Sequence, residues 1–161
     1  MRKLYSLARL TKIIQGHKKR GERIVLTNGC FDLIHVGHVR YLKEAKGKGD
    51  ILIVALNSDS SVRKLKGKGR PLLNQEERAE IIASFSFVDY ITLFEEPNVV
   101  KILLALEPDI HAKGSDYTKE TVPEKDTVKG YGGKIAITGG PKVRSTSRLL
   151  KEIDTKTKKT E

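Results

Sequence analysis

The sequence predicts an α/β protein, a Rossmann-like doubly wound sandwich around a mainly parallel five-stranded sheet. Short apolar runs alternate with amphipathic stretches along almost the whole chain, which is the pattern of repeated strand–helix units. The apolar runs are continuous and do not alternate with polar residues, as expected of parallel strands covered by helices on both faces. At 161 residues, the chain is long enough for one domain with its own hydrophobic core.

Each predicted element has a local signal. In chain order the elements are helix 3–18, strand 24–27, helix 37–46, strand 51–56, helix 74–84, strand 90–93, helix 98–106, strand 109–113, helix 124–130, strand 134–137 and helix 145–153. The first helix repeats apolar side chains every three or four residues, and the strands are short apolar runs. The helix after the second strand begins at Asn74, and Glu77 stands at the spacing of a capping box.

Three segments are expected: an N-terminal helix in residues 1–21, the main domain in residues 22–153 and a flexible basic tail in residues 154–161. The first residues do not resemble a signal peptide, and no apolar run is long enough to span a membrane. Cys30 is the single cysteine, so an internal disulfide is excluded and a reducing compartment is favoured. We therefore expect a cytoplasmic protein.

The chain is strongly basic, with 31 Lys and Arg against 20 Asp and Glu and a formal net charge of +11. Such a balance favours a polyanionic partner, and a basic nucleic-acid-binding module is one interpretation. However, the charge is spread along the chain, and no helix-turn-helix, zinc finger or other nucleic-acid module is present. A basic pocket for a polyphosphate explains the excess at least as well, so we expect a small-molecule site and no nucleic-acid partner.

The most informative motif is His35-Val36-Gly37-His38, at the junction of the first strand and the second helix. Two imidazoles beside the start of a helix can bind the phosphates of a nucleotide, because the helix dipole and free N–H groups favour anions there. Metal ligation is the alternative, but no third ligand stands at a convincing spacing, and we expect no metal held by protein side chains. The Walker sequence of P-loop proteins is absent.

Further candidates follow the other strands, because the carboxyl ends of parallel strands meet at one crevice. They are Asn28, Gly29, Cys30, Phe31 and Asp32 after the first strand, Asn57, Asp59, Lys66 and Arg70 after the second, Arg78 on the next helix, Lys113, Gly114, Asp116 and Tyr117 after the fourth, and Ser145, Thr146 and Ser147 at the last helix. Several have structural alternatives: a solvated loop at 63–70, a surface charge at Arg78, a buried apolar thiol at Cys30 and a helix cap at 145–147. His17 and His111 are expected to be structural.

Together these residues resemble the cytidylyltransferase-like nucleotidyltransferases, whose signature His-x-Gly-His is present at residues 35–38. The similarity extends over residues 22–153 and is greatest to the branch formed by the adenylyltransferase domains of ADP-heptose synthases. The stretches that carry it are 27–35, 54–59, 65–67, 70–71, 75–78, 88–89, 108–109 and 113–117. Arg144, before Ser145-Thr146-Ser147, instead resembles the glycerol-3-phosphate cytidylyltransferases.

The resemblance implies transfer of AMP from ATP to D-glycero-β-D-manno-heptose 1-phosphate, giving ADP-heptose and pyrophosphate, with Mg²⁺ required. Glycerol-3-phosphate cytidylyltransferase and FAD-synthase-type transfer are the alternatives within the fold. A symmetric homodimer is expected, and an upstream sugar kinase is expected to be a separate protein. The implied catalytic residues are His35, His38 and Lys66. The implied nucleotide-binding residues are Asn28, Gly29, Cys30, Phe31, Asp32, Gly37, Lys113, Gly114, Asp116, Tyr117, Ser145, Thr146 and Ser147. The implied acceptor-binding residues are Asp32, Asn57, Asp59, Lys66, Arg70 and Arg78.

Overall fold

The structure is a computed structural model that describes residues 3–141 and 146–157. Its elements are α1 (Leu7–Lys19), β1 (Ile24–Gly29), α2 (Val36–Lys46), β2 (Ile51–Asn57), α3 (Asp59–Lys66), α4 (Gln75–Ser84), β3 (Tyr90–Phe94), α5 (Val100–Leu106), β4 (Ile110–Gly114), α6 (Lys125–Gly130), β5 (Lys134–Thr138) and α7 (Thr146–Thr157). The predicted α/β class is confirmed. No helix of the described residues combines the length and the apolar character that a membrane span requires.

The five strands form one parallel sheet in the order β3-β2-β1-β4-β5. The strand β1 lies at the centre, paired on one side with β2 and on the other with β4. The order of strands reverses between these two neighbours. Ligands of open α/β sheets bind at such a reversal, outside the carboxyl ends of the strands.

Helices cover both faces of the sheet, and successive residues of β1 contact helices on opposite faces. Ile24 and Leu26 belong to a core cluster with α1 and α5, whereas Val25 belongs to a second cluster with α2 and α4. All seven residues of β2 are buried. The strands are therefore apolar on both faces, as the continuous apolar runs of the sequence predicted.

The first predicted helix begins later than expected. Ser6 caps α1, and residues 3–5 are extended alongside β3, where Ile91 donates its N–H to the Lys3 carbonyl and accepts the N–H of Tyr5 at its own carbonyl. The apolar side chain of Leu4 fits the helical period but contacts the second core cluster from this extended segment. Tertiary pairing therefore replaces helical structure at this end.

Two polar segments that were predicted to be loop and tail are helical. The helix α3 covers the first half of the segment 63–70, because Ser58 caps it by accepting the N–H of Ser61 at 3.2 Å. The helix α7 continues to Thr157, where the hydroxyl groups of Thr155 and Thr157 donate to carbonyls four residues earlier. The last helix, predicted to end at residue 153, thus continues four residues further, with hydroxyl groups of its final turn bonded to carbonyls of the same helix.

Candidate functional site

A cavity of about 850 Å³ lies at the carboxyl edge of the sheet. All five strands or the loops that follow them contribute to its lining, and α2 forms one side. The structure brings most of the predicted site residues together there. These are Asn28, Gly29, Cys30, Phe31, Asp32, His35, Gly37, His38, Asn57, Lys66, Arg70, Lys113, Gly114, Asp116, Tyr117 and Ser147.

A tight turn connects β1 to α2. Phe31 adopts a left-handed backbone conformation with φ of 48°, which is uncommon for a residue with a side chain. Its ring is 4% exposed and packs against His38, with ring centroids 5.2 Å apart. A side chain at Gly29 would clash with this ring, since a Cβ there would lie 2.9 Å from a Phe31 atom. Gly29 therefore allows Phe31 to fold back under the helix and support His38.

The two motif histidines stand side by side at the start of α2. Their rings are stacked, with centroids 3.9 Å apart and planes inclined by 26°. His35 caps the helix, and its Nδ1 accepts the N–H of Gly37 at 3.1 Å. A neutral imidazole that accepts at Nδ1 carries its proton on Nε2, which makes Nε2 of His35 a donor.

His38 is neutral at physiological pH. Burial is the main cause that lowers its pKa to about 4, and the neighbouring His35 lowers it further, while hydrogen bonding to the Leu33 backbone acts in the opposite direction. A neutral ring has one N–H to donate and does not repel a second cation nearby. The pair thus offers hydrogen-bond donors to a phosphoryl group without two positive charges in contact.

Asp32 organises the loop between α3 and α4. Its carboxylate is 3% exposed, and its Oδ1 accepts the N–H groups of Leu72 and Leu73 at 2.7 and 3.1 Å. Its Oδ2 lies 2.7 Å from Nε of Arg70, which lines the cavity. The carboxylate predicted to bind the nucleotide and the acceptor thus lines the cavity and also orients the loop that carries Arg70.

Lys66 is the exposed cation of this side of the cavity. It stands at the end of α3, whose C-cap, Gly67, has a φ of 89°. Asn57 lies deeper and is 4% exposed, with its Nδ2 donating to Oγ of Ser61 at 2.9 Å. Lys66 therefore remains available to an anion, whereas the Asn57 side chain stabilises α3.

Arg78 and Asp59, both predicted to bind the acceptor, do not line the cavity. Arg78 is fully buried, and its guanidinium donates to Oδ1 of Asp59 at 2.7 Å and to the carbonyls of Leu73 and Cys30. These bonds tie α3 and α4 to the turn after β1. The position of this pair indicates a structural brace, because the first turns of both helices face each other across the Arg78 side chain.

The opposite side of the cavity carries charges that are buried. Lys113, at the end of β4, is 7% exposed and donates to Oδ1 of Asn28 at 3.1 Å. Its Nζ lies 3.7 Å from Oε2 of Glu124 and 4.8 Å from the centre of the Tyr117 ring. Nε2 of His111, which is fully buried, lies 3.7 Å from the same Glu124 oxygen.

Sequence reasoning missed several lining residues. Phe94 ends β3, and Pro97 and Asn98 follow it, so the same rule of strand ends that selected the other candidates would have found them. Tyr41 and Glu124 had no comparable signal. Tyr41 reaches the cavity from the second turn of α2 by donating its hydroxyl to the Ala112 carbonyl at 2.8 Å.

The end of β5 approaches α2 closely. Gly139 has a φ of 99°, and a Cβ there would lie 3.2 Å from the Tyr41 backbone. Its N–H donates to the Glu44 carboxylate at 2.7 Å. Beyond this turn, Ser147 lines the cavity, whereas Arg144, Ser145 and the Thr146 side chain lie outside the residues that the structure describes.

Over residues 3–141 and 146–157, no group of three or more His, Cys, Asp and Glu side chains is arranged to hold a metal ion. Magnesium prefers an octahedral shell of oxygens and is commonly held by substrate phosphates with few protein ligands. A Mg²⁺ ion that arrived on a nucleotide would need few ligands from the residues that line the cavity.

Comparison with known proteins points to one family. A family model described as cytidylyltransferase-like matches residues 26–141. The bifunctional protein HldE of Geobacter metallireducens is 46% identical over 151 residues, which are 94% of this chain and 31% of the relative. That of Syntrophotalea carbinolica is 46% identical over 144 residues, or 89% of this chain and 29% of the relative. The chain thus spans about a third of the length of the curated relatives it matches.

Solved structures agree with the fold. A lipopolysaccharide core biosynthesis protein from Thermoplasma volcanium has a TM-score of 0.62 and 30% identity, covering 73% of this chain and 94% of that one. A pantoate-beta-alanine ligase from Francisella tularensis, complexed with beta-gamma ATP and beta-alanine, has a TM-score of 0.64 and 19% identity, covering 89% and 68%. The second likeness concerns the fold alone.

Proposed function

Because the chain belongs to the cytidylyltransferase-like family of nucleotidyltransferases, we propose that it transfers AMP from ATP to D-glycero-β-D-manno-heptose 1-phosphate. The products are ADP-heptose, a precursor of cell-surface heptose, and pyrophosphate. The acceptor assignment is supported by the sequence resemblance to ADP-heptose synthases and by the HldE relatives. The lipopolysaccharide core biosynthesis protein at 30% identity supports the same area of metabolism.

The observation that carries this proposal is the stacked pair His35 and His38 at the start of α2, inside a cavity that also contains Lys66 and Arg70. Neutral donors at a helix N-terminus suit phosphoryl oxygens, because the helix dipole adds positive potential at the same point. Cations on the facing loop supply the charge that two phosphorylated substrates require.

In the proposed reaction, a phosphate oxygen of the acceptor attacks the α-phosphorus of ATP in line. A new phosphorus–oxygen bond forms to the acceptor while the bond to the bridging oxygen of the β-phosphate breaks, and pyrophosphate carries away the electron pair. No covalent step on the protein is needed, so catalysis consists of positioning and charge stabilisation. His35 and His38 donate to the α-phosphoryl and bridging oxygens, where negative charge increases during transfer.

The remaining residues position the two substrates. Lys66 neutralises the phosphate of the acceptor, and Arg70, held by Asp32, adds a fixed charge beside it. Gly37 allows the nucleotide to lie against the backbone. Residues 145–147 contribute hydroxyl groups to the β- and γ-phosphates. A Mg²⁺ ion carried by the triphosphate would supply further positive charge to the phosphate oxygens.

Pyrophosphate release tests the proposal. The purified chain is assayed with ATP, CTP, GTP and UTP, each with heptose 1-phosphate and with glycerol 3-phosphate, with and without Mg²⁺. We expect Mg²⁺-dependent release with ATP and heptose 1-phosphate. Preference for CTP with glycerol 3-phosphate would replace the substrate assignment, and no release with any pair would contradict nucleotidyl transfer itself.

A nucleic-acid-binding role is tested separately, since the net charge of +11 is the observation that favours it. A nucleic-acid binder that neutralises many phosphates loses affinity steeply with salt. Filter binding of RNA and DNA over a range of salt concentrations measures that loss. Tight, salt-dependent binding together with no pyrophosphate release would favour the nucleic-acid role.

We also propose a cytoplasmic homodimer, as closed two-fold dimers are the commonest oligomers. The segment 85–88 does not supply an obvious interface, because Val88 is fully buried and the stacked rings of Phe85 and Phe87 pack against the core. Light scattering at micromolar concentration is expected to give twice the chain mass of 18.0 kDa. A single species at the chain mass would contradict the dimer.

A further inference from the structure

The buried charges beside β4 form a chain that ends at the cavity. Glu124 is 6% exposed and lies 3.7 Å from Nζ of Lys113, which in turn donates to Oδ1 of Asn28 at 3.1 Å. Asn28 stands where β1 ends, and it lines the cavity beside the motif that begins α2. A carboxylate and an ammonium group are seldom buried unless their arrangement is maintained by partners.

The contact between Lys113 and Asn28 fixes the orientation of the Asn28 amide. An ammonium group can only donate hydrogen bonds, so the amide oxygen must face Lys113. The amide nitrogen, a donor of two hydrogen bonds, is then directed away from Lys113. A donor at this position suits a negatively charged ligand, and an amide oxygen in its place would repel one.

We propose that Glu124 is a positioning residue that acts through Lys113 to keep the Asn28 amide nitrogen directed toward the nucleotide. The inference rests on the proposed nucleotide site and gives a role to the residues on its β4 side. Glu124 lines the cavity, but in this arrangement its effect reaches the nucleotide through the side chains of Lys113 and Asn28. Nε2 of His111, from the same strand as Lys113, lies 3.7 Å from the same Oε2 atom of Glu124.

Glu124 is the carboxylate that opposes the effect of burial on Lys113, and Asp116, on the loop after β4, lines the same cavity. The other titratable groups around Lys113 are His111 on β4, Tyr117 on the following loop and Tyr41 on α2. Burial lowers the pKa of His111 and raises that of Tyr41, so both are neutral near pH 7. Burial also lowers the pKa of Lys113, and Glu124 opposes that effect.

Loss of the Glu124 charge therefore has a consequence that depends on pH. Without its counter-ion, the buried Lys113 loses its proton at a lower pH than in the unaltered protein. A neutral amine can accept a hydrogen bond, so the Asn28 amide is then free to turn its nitrogen toward Lys113 and its oxygen toward the cavity. Nucleotide binding should weaken as the pH rises.

The test is calorimetric titration of ATP into the full chain at several pH values from 6 to 9, without acceptor. We expect Glu124→Gln to bind ATP about tenfold more weakly at pH 9 than at pH 6, beyond any change in the unaltered protein. Glu124→Asp keeps the negative charge, so its affinity for ATP should depend on pH much less than that of Glu124→Gln. The matched control is Glu120→Gln, an exposed acid preceding the same helix, which should behave as the unaltered protein does.

Two results overturn the inference: an affinity of Glu124→Gln equal to that of the unaltered protein at every pH, or a loss that is the same at every pH. Should Glu124→Gln not fold, Asn28→Asp provides the test, because it keeps an oxygen for Lys113 and presents a second oxygen to the ligand. We expect about tenfold weaker ATP binding for Asn28→Asp, and unchanged binding overturns the inference. If the unaltered protein binds no ATP, the proposed function fails first, whereas normal pyrophosphate release with unaffected variants removes this inference alone.

Discussion

The two sides of the cavity carry positive charge in different states. Lys66, at the end of α3, is exposed to solvent, whereas Lys113, at the end of β4, is 7% exposed and has Glu124 and Asn28 as partners. An exposed lysine has a flexible stem and a hydrated charge, so it can follow a phosphate as the phosphate moves. A buried lysine with fixed partners cannot follow a ligand and instead keeps its neighbours in place.

A lysine at the end of a strand is therefore not by itself a phosphate ligand. Arg78 is a third case, a cation that does not line the cavity. Its guanidinium links Asp59 to two backbone carbonyls. Burial and the number of internal partners separate these roles. The sequence analysis had placed all three cations in the candidate site, with Lys66 and Arg78 at the acceptor and Lys113 at the nucleotide.

The largest effect is expected on the α2 side, at the two histidines. His35→Ala and His38→Ala should each lower kcat about 10²–10³-fold, with a much smaller effect on ATP binding, because the lost donor acts on charge that develops during transfer. Steady-state pyrophosphate release and ATP titration measure the two quantities. Arg40→Ala, an exposed change on the same helix, is the control, and turnover near the unaltered level in both histidine variants would contradict their role.

Loss of the contact between Arg78 and Asp59 should lower the stability of the protein more than its activity. Arg78→Ala removes a fully buried guanidinium and leaves Asp59 and two carbonyls without their donor, which costs roughly 3 kcal/mol or more of unfolding free energy. Urea unfolding measures the loss. Arg63→Ala, on the exposed side of α3, should change stability by less than about 0.5 kcal/mol, and an equal effect of the two variants would refute the brace.

A pH effect on stability is expected from His38. Burial lowers its folded pKa to about 4, below the ordinary value of 6.5, so between these values the unfolded chain binds more protons than the folded one. Stability should therefore fall as the pH is lowered from 6.5 to 4, by roughly 2–3 kcal/mol from this group. Urea unfolding at pH 7 and pH 4 measures it, and His38→Gln should show a loss smaller by that amount. Equal losses would show that His38 titrates normally.

The smallest effect is expected at the exposed lysine. Lys66→Ala should raise the KM of the phosphorylated acceptor about tenfold, because one solvated charge contributes modestly to binding, and kcat should change less. Lys68→Ala, on the same loop but outside the cavity lining, is the control. Equal KM values for all three proteins would remove Lys66 from the acceptor site.

Most of the fold follows from local pattern. The apolar runs predicted all five strands, and because the carboxyl ends of parallel strands converge, the sequence alone also placed the residues after β1 and β4 at one cavity. The capping box at Asn74 correctly marked the start of α4. These predictions succeed because periodicity and caps act over a few residues.

The unpredicted features depend on contacts between distant segments. Arg78 is buried because α3 stands opposite α4, and no local pattern specifies that approach. Glu124 lies before a helix of six residues, yet it reaches β4 and becomes 6% exposed. The contacts of Asp32 were also not predicted, because the loop that it organises begins about forty residues later in the sequence.

The extended segment at residues 3–5 has a consequence for solubility. β3 is an edge strand, and an edge with free N–H and C=O groups is a template for pairing with other chains. The two hydrogen bonds between Ile91 and the segment occupy groups of this edge that would otherwise be open. Removal of the segment would open these groups again, so aggregation during expression should then increase.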